Sequence, residues 1–162
     1  MSSAAFDLAA HPLRQLAAHL GATPRPAPSW LGPAEARLFQ RMPAPDQVEG
    51  LAVVRRLRLW GYADDGALLS AGLLHDVGKS LAPPAAGYRM AITAIERLPA
   101  RVRPGLVATM QPLRILWGHA HIGAELAAQE GLRDDVVALI RDHHAPAGNE
   151  RMRALQHADG LY

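Results

Sequence analysis

Apolar residues repeat at three- and four-residue spacing along most of the chain, as they do on one face of a helix. Between positions 46 and 60 the residues that carry this repeat are Val48, Leu51, Val54, Leu57 and Trp60. Similar stretches occupy positions 33–42, 65–75, 88–98, 106–117, 119–129, 132–142 and 150–161. No stretch shows the apolar–polar alternation of a strand. The sequence therefore predicts an all-α fold, a compact multi-helix bundle.

Glycine, proline and acidic residues mark the predicted helix boundaries. Pro33 is expected at a first helical position, where proline is favoured, and Gly61 and Gly131 are expected to end helices. Asp46, with Glu49 three residues later, has the spacing of a capping box and predicts a helix start at Asp46.

The first 29 residues differ from the rest. Positions 6–20 predict a short amphipathic helix, and Pro24, Pro26 and Pro28 predict an extended connector after it. We interpret residues 1–29 as an extension that packs on the domain or on a neighbouring copy, and residues 30–162 as the domain itself. The apolar extension is compatible with a homodimer.

Composition excludes several classes of protein. The 162 residues contain no cysteine, which excludes disulfides, thiolate zinc sites and cysteine nucleophiles. The net charge is +2 with no run of Lys or Arg, so no nucleic-acid groove is evident. No apolar stretch reaches transmembrane length. A cytoplasmic protein with no membrane partner is expected.

The most informative stretch is Leu-Leu-His-Asp-Val-Gly-Lys at positions 73–79. An apolar helix runs into His75 and Asp76, which would be costly to bury without partners. Imidazole and carboxylate together suit a divalent metal. Gly78 is expected in the left-handed conformation that ends a helix. Lys79 is the only lysine of the chain, and its compact charge suits a phosphate.

Further histidines and an aspartate lie at the ends of other predicted helices. They are His119, His143, His144 and Asp159. In helical bundles, metal centres are built from side chains that converge from separate helices. His121 and His157 each lie two residues from one of these positions, which on a helix turns them away from it, and we expect them at the surface or in supporting roles.

These motifs resemble the HD superfamily of metal-dependent phosphohydrolases, which is named for its His-Asp pair. His119 to Glu125 is similar to the family's His-Pro-Glu-Ile-Gly-Ala-Glu element, with Ala120 and His121 in place of Pro and Glu. Ile140 to His144 resembles its paired histidines, and Ala158-Asp159 its closing Ala-Asp element. The resemblance extends from about Asp46 to the C-terminus.

The resemblance implies a site with one or two divalent ions. His75, Asp76 and Asp159 would bind the first ion, and Asp76 would bridge to a second ion bound by His119 and by His143, His144 or both. A metal-activated water would attack phosphorus, and Lys79 would hold a phosphoryl oxygen.

Glu49 occupies the position where the family has its first histidine ligand. As a ligand, its hard oxygen would favour Mn, Mg or Fe over Zn. Glu49 can also be interpreted as the partner of Asp46 in a capping box, and that role is compatible with metal ligation. Overall, Mn, Fe, Mg or Ni is expected rather than Zn.

The function that the resemblance implies is hydrolysis of a small phosphomonoester or phosphodiester, with a nucleotide as the expected substrate. The cyclic-di-GMP branch of the family is not indicated, because its Gly-Tyr-Pro element is missing after His144. Three alternatives stay open: a catalytically weak HD domain that binds metal or nucleotide as a sensor or partner domain, an HD-type oxygenase with a di-iron centre, and a purely structural helical module.

Overall fold

A computed structural model describes residues 22–83 and 86–160. Its helices in chain order are α1 (Pro33–Arg41), α2 (Ala44–Leu59), α3 (Gly66–Leu74), a 3₁₀ helix (Val77–Leu81), α4 (Ala86–Glu96), α5 (Arg103–Val107), α6 (Gln111–Trp117), α7 (His119–Gln129), α8 (Asp134–Asp142) and α9 (Glu150–Asp159). The described residues include no strand. The all-α prediction is confirmed.

Most predicted boundaries agree with these helices, but the start of α2 does not, and the helix predicted at 106–117 with an interruption at Pro112 is instead divided at residues 108–110. Gly61 and Gly131 follow α2 and α7 with φ of +93° and +77°, as expected of helix-ending glycines. The prediction that Asp46 caps α2 is wrong, because the helix begins at Ala44 and Asp46 lies buried in its first turn. Pro45 fits inside this turn, where no backbone donor is needed.

Helix α3 is the centre of the bundle. Its residues from Ala67 to Leu74 are all buried, and it packs against α1, α2, α8 and α9. Helix α2 lies close to α3 at Gly50, where a Cβ atom would lie 2.3 Å from the carbonyl oxygen of Leu73. Only a glycine allows this approach, which brings the backbone beside Glu49 close to the end of α3.

The 3₁₀ helix packs against the start of α7 through Gly78. A Cβ atom on Gly78 would lie 2.0 Å from the carbonyl oxygen of His119 and 2.7 Å from the backbone nitrogen of Gly123. The prediction of a left-handed Gly78 is wrong, because the described glycines with positive φ are Gly61, Gly131 and Gly160. Glycine is needed at position 78 for close packing, and this packing brings Asp76 and His119 together.

Helices α4 to α6 have a small core of their own. Ile95, Val107 and Leu113 are buried against one another, apart from the main core. Helix α6 contacts the 3₁₀ helix and α7. In the sequence this segment separates Asp76 from His119, and the contacts of α6 place it beside the two elements that contain these residues.

The N-terminal connector is fastened to the bundle through Gln47. The side-chain oxygen of Gln47 accepts a 2.7 Å hydrogen bond from the backbone N–H of Arg25, and its amide nitrogen donates to the carbonyls of Phe39 and Met42. The helix predicted at positions 6–20 lies outside the described residues, and the division between residues 29 and 30 stays a prediction. Within the described ranges, no helix is both long and apolar enough to cross a bilayer.

We expect Gly78→Ala to destabilise the fold by about 3 kcal/mol, because the new methyl group would meet backbone atoms that cannot turn away. For a chain of this size the melting temperature would fall by about 6–12 °C. Gly66→Ala is the matched control, since no atom lies within 4 Å of a Cβ at that position. Equal melting temperatures for the two variants, measured by circular dichroism, would contradict the packing described here.

Candidate metal centre

The candidate site forms where several helix ends meet. His75 follows α3 directly, and Asp76 leads into the 3₁₀ helix. His119 is the first residue of α7, His143 follows α8, and Asp159 is the last residue of α9. Helix ends leave backbone groups without intrahelical partners, so polar side chains can be buried there with hydrogen bonds available.

Three histidines use these backbone groups in the same way. His75 Nδ1 lies 3.0 Å from the carbonyl oxygen of Gly72. His119 Nδ1 lies 2.6 Å from that of Leu116, and His143 Nδ1 lies 2.6 Å from that of Ile140. A carbonyl can only accept, so each Nδ1 donates its hydrogen to the residue three positions earlier. The second nitrogen, Nε2, is thereby turned inward, as in metal-binding histidines.

Two of the inward nitrogens have no hydrogen bond among the described residues. They are Nε2 of His75 and Nε2 of His143, and both side chains are only 1% exposed. His75 Nε2 is 3.0 Å from Asp159 Oδ1, an ion-pair distance, but is poorly aligned for a hydrogen bond. A buried polar atom without a partner costs about 1–3 kcal/mol. A divalent metal would satisfy both nitrogens, so the residues fit such an ion.

Asp76 joins two halves of the site. One half contains His75 and Asp159, and the other contains His119, His143 and His144. Its Oδ1 lies 3.1 Å from His119 Nε2, and its Oδ2 lies 2.6 Å from Lys79 Nζ and 3.6 Å from His75 Nε2. The residue is 5% exposed. Because its two oxygens point to different neighbours, this carboxylate has the geometry of a bridging group.

Charge differs between the two halves. Burial lowers the pKa of His75, but the nearby charges of Asp76 and Asp159 outweigh it and raise the pKa to about 9. Burial raises the pKa of Asp76, but Lys79 and His75 outweigh it and hold this pKa well below its usual value. The half around His75 therefore holds carboxylates that attract a cation.

The other half contains two imidazoles that are held neutral, those of His143 and His144. Burial and then the charge of His75 lower the pKa of His143, and burial and then the charge of His119 lower the pKa of His144 to about 4. The ligand nitrogens of His119, His143 and His144 lie within 4.8 Å of one another. Metal–nitrogen bonds are about 2.0–2.1 Å long, so one ion between the three rings could be bound by all of them after small adjustments.

Glu49 pairs with Arg56 on the same helix. Its Oε1 is 3.2 Å from Arg56 Nη1, and its side chain is 46% exposed. Its ligation stays a prediction. His121 and His157 are exposed, as expected, and His157 stacks on Trp60 with ring centroids 4.6 Å apart.

Arg56 is a residue that the sequence did not single out. Its Nη1 donates a 2.6 Å hydrogen bond to the carbonyl oxygen of Ala158, next to Asp159. No local motif marks this contact, because the two residues are 102 positions apart in the chain.

Buried imidazoles and carboxylates that converge from helix ends define a class of protein, an all-α domain with a candidate site for divalent metal. The family model for the HD domain matches residues 48–161, well over half of the chain. The chain therefore belongs to the HD domain family of metal-dependent phosphohydrolases, and the resemblance drawn from the sequence is confirmed. No curated protein and no solved structure matches it significantly.

We expect Mn²⁺ or Co²⁺ to raise the melting temperature of the protein, because an ion that binds only the folded chain stabilises it. At a free concentration one hundred times the Kd, the gain is about 2.7 kcal/mol. His143→Ala should lose the part of this gain that binding at His119, His143 and His144 supplies, whereas His121→Ala, which changes an exposed ring, should keep all of it. A thermal scan with and without metal would contradict the assignment if His143→Ala responded like the unmodified protein.

Proposed function

We propose that the protein is a metal-dependent phosphohydrolase that cleaves a small phosphomonoester or phosphodiester, with nucleotides as the substrate class. The observation that carries the proposal is the position of Lys79, whose ammonium lies 2.6 Å from the central carboxylate of Asp76. A cation beside a candidate metal site is what an approaching phosphoryl group needs, since its charge is spread over several oxygens.

The proposed ligands follow the two halves of the site. His75, Asp76 and Asp159 would bind one ion, and Glu49 is a predicted further ligand of it. His119, His143 and His144 would bind a second ion, with Asp76 shared between the two. These donors are nitrogen and oxygen without thiolate, a set compatible with Mn, Fe, Mg or Ni. A bound divalent ion would supply an activated water and neutralise charge on the phosphoryl group.

The protein's own side chains would contact the phosphoryl group and fix the geometry of the site. Lys79 is about one-quarter exposed, so its ammonium can meet a phosphoryl oxygen while Asp76 holds it in place. The hydrogen bonds from Nδ1 of His75, His119 and His143 to backbone carbonyls fix the rings before a substrate arrives. Such preorganisation is the usual source of electrostatic stabilisation in enzymes.

A second candidate function is binding without turnover, as a sensor or partner domain. It is favoured by Glu49, which replaces the first histidine of the family pattern and contacts Arg56. The nucleotide, the cytoplasmic location and the homodimer stay predictions. A di-iron oxygenase and a purely structural module are further outcomes that the experiment below distinguishes.

We expect Lys79→Met to lower kcat for phosphate-ester hydrolysis about 10²–10³-fold, the effect of removing one electrostatic contact to the transition state, with the bound metal unchanged. The assay would measure phosphate or nitrophenol release from nitrophenyl esters and a nucleotide panel with added Mn²⁺. Arg141→Met is the control, because this exposed cation pairs with Asp142 near the site.

Three results would contradict the proposal. Metal and nucleotide binding without product release would favour the sensor domain. Oxygen consumption without phosphate release would favour the oxygenase. A protein that binds no metal, and whose stability is unaffected by chelator, would favour a purely structural helical module.

A further inference from the structure

We infer that Arg56, oriented by Glu49, is a positioning residue for the proposed metal ligand Asp159. The inference rests on the proposed metal site and concerns how one of its carboxylates is held in place. It gives Glu49 a role through Arg56, in contrast to the direct ligation predicted from the sequence.

The contacts form a chain across two helices. Arg56 Nη1 is 3.2 Å from Glu49 Oε1 and donates a 2.6 Å hydrogen bond to the carbonyl oxygen of Ala158. Glu49 and Arg56 are seven residues apart on α2, two helical turns, and therefore share a face. The guanidinium thus connects this face of α2 to the end of α9.

The hydrogen bond from Arg56 to the carbonyl of Ala158 constrains the backbone of Asp159. The peptide unit is planar, so the oxygen of Ala158 and the Cα atom of Asp159 belong to one rigid plane. Holding that oxygen fixes the starting point of the Asp159 side chain, whose Oδ1 lies 3.0 Å from His75 Nε2. A guanidinium at a helix C-terminus is also favoured by the helix dipole and by the carbonyls left unpaired there.

The ion pair between Arg56 and Glu49 positions Asp159 and adds little to the overall stability of the fold. The side chains of Arg56 and Glu49 are 44% and 46% exposed, and exposed ion pairs stabilise proteins little, by about 0–1 kcal/mol. Helix α2 is already fixed to α3 at Gly50. Replacing either residue should therefore leave the fold intact and change the metal half-site of His75, Asp76 and Asp159.

The two roles of Glu49 predict different results when both residues are replaced. If Glu49 is itself a ligand, its second oxygen can bind the metal, so removal of Glu49 would weaken binding even without Arg56, and the double variant would bind more weakly than Arg56→Gln alone. If Glu49 acts through Arg56, removal of either residue weakens binding. Removal of both then has no greater effect than removal of Arg56 alone, because the two act as one unit.

The test is a titration with Co²⁺, followed by calorimetry and by the visible absorption of the bound ion. The variants are Arg56→Gln, Glu49→Gln and the double variant. We expect one class of site to weaken about 10–100-fold in each, the usual effect of losing a group that orients a ligand. Binding at the His119, His143 and His144 group should be unchanged. Arg56→Lys should restore part of the affinity, since an ammonium can also donate to the carbonyl of Ala158.

Arg55→Gln is the matched control, because Arg55 lies at the preceding position of α2 and lines a groove with Trp30 and Leu51. A readout without metal is the exchange rate of the Gly160 amide, which bonds to the last turn of α9. We expect this exchange to be about tenfold faster in Arg56→Gln as the helix end loosens.

Unchanged or tighter Co²⁺ binding in Arg56→Gln, with unaltered exchange, would overturn the inference and leave the proposed function standing. An absence of Co²⁺ binding in the unmodified protein would overturn the proposed function as well. The two failures are therefore distinguishable in one set of titrations.

Discussion

The arrangement of the site depends on the buried charge of Asp76. A carboxylate this far from water is costly unless cations and hydrogen-bond donors surround it. Lys79, His75 and His119 all lie within 3.6 Å of its two oxygens. Their presence requires the 3₁₀ helix, the end of α3 and the start of α7 to meet at one point. The packing of the helices around the site brings these three segments together.

Close backbone contacts make this meeting possible. Gly78 lies directly against His119 and Gly123, and Gly50 lies against Leu73. His75, His119 and His143 then complete the geometry, since each donates Nδ1 to the carbonyl three residues earlier, at the C-terminal end of a helix. The ring directions are therefore set by local backbone, whereas the ring positions are set by packing between helices. Metal affinity and helix packing should accordingly be coupled.

The features that the sequence predicts correctly, the helical fold and several helix ends, are those that local residue patterns determine. Helical periodicity gave the all-α fold, and Gly61 and Gly131 were identified as helix ends because a left-handed residue is a local requirement. A left-handed Gly78 is the wrong prediction because glycine is required there for contact with His119, 41 positions later in the chain, which no local pattern marks. The capping-box spacing from Asp46 to Glu49 places the start of α2 at Asp46, whereas Pro45 fits the first turn and the helix begins two residues earlier, at Ala44. The contact between Arg56 and Ala158 could not be predicted, since no pattern in the chain marks it.

The central claim is that the buried histidines and carboxylates bind divalent metal. The most direct measurement is anomalous diffraction at the manganese edge from crystals grown with Mn²⁺. Our account predicts an anomalous peak about 2.0–2.3 Å from Nε2 of His75 or of His143, on the side facing Asp76. Saturating Mn²⁺ with no peak among these residues would contradict it.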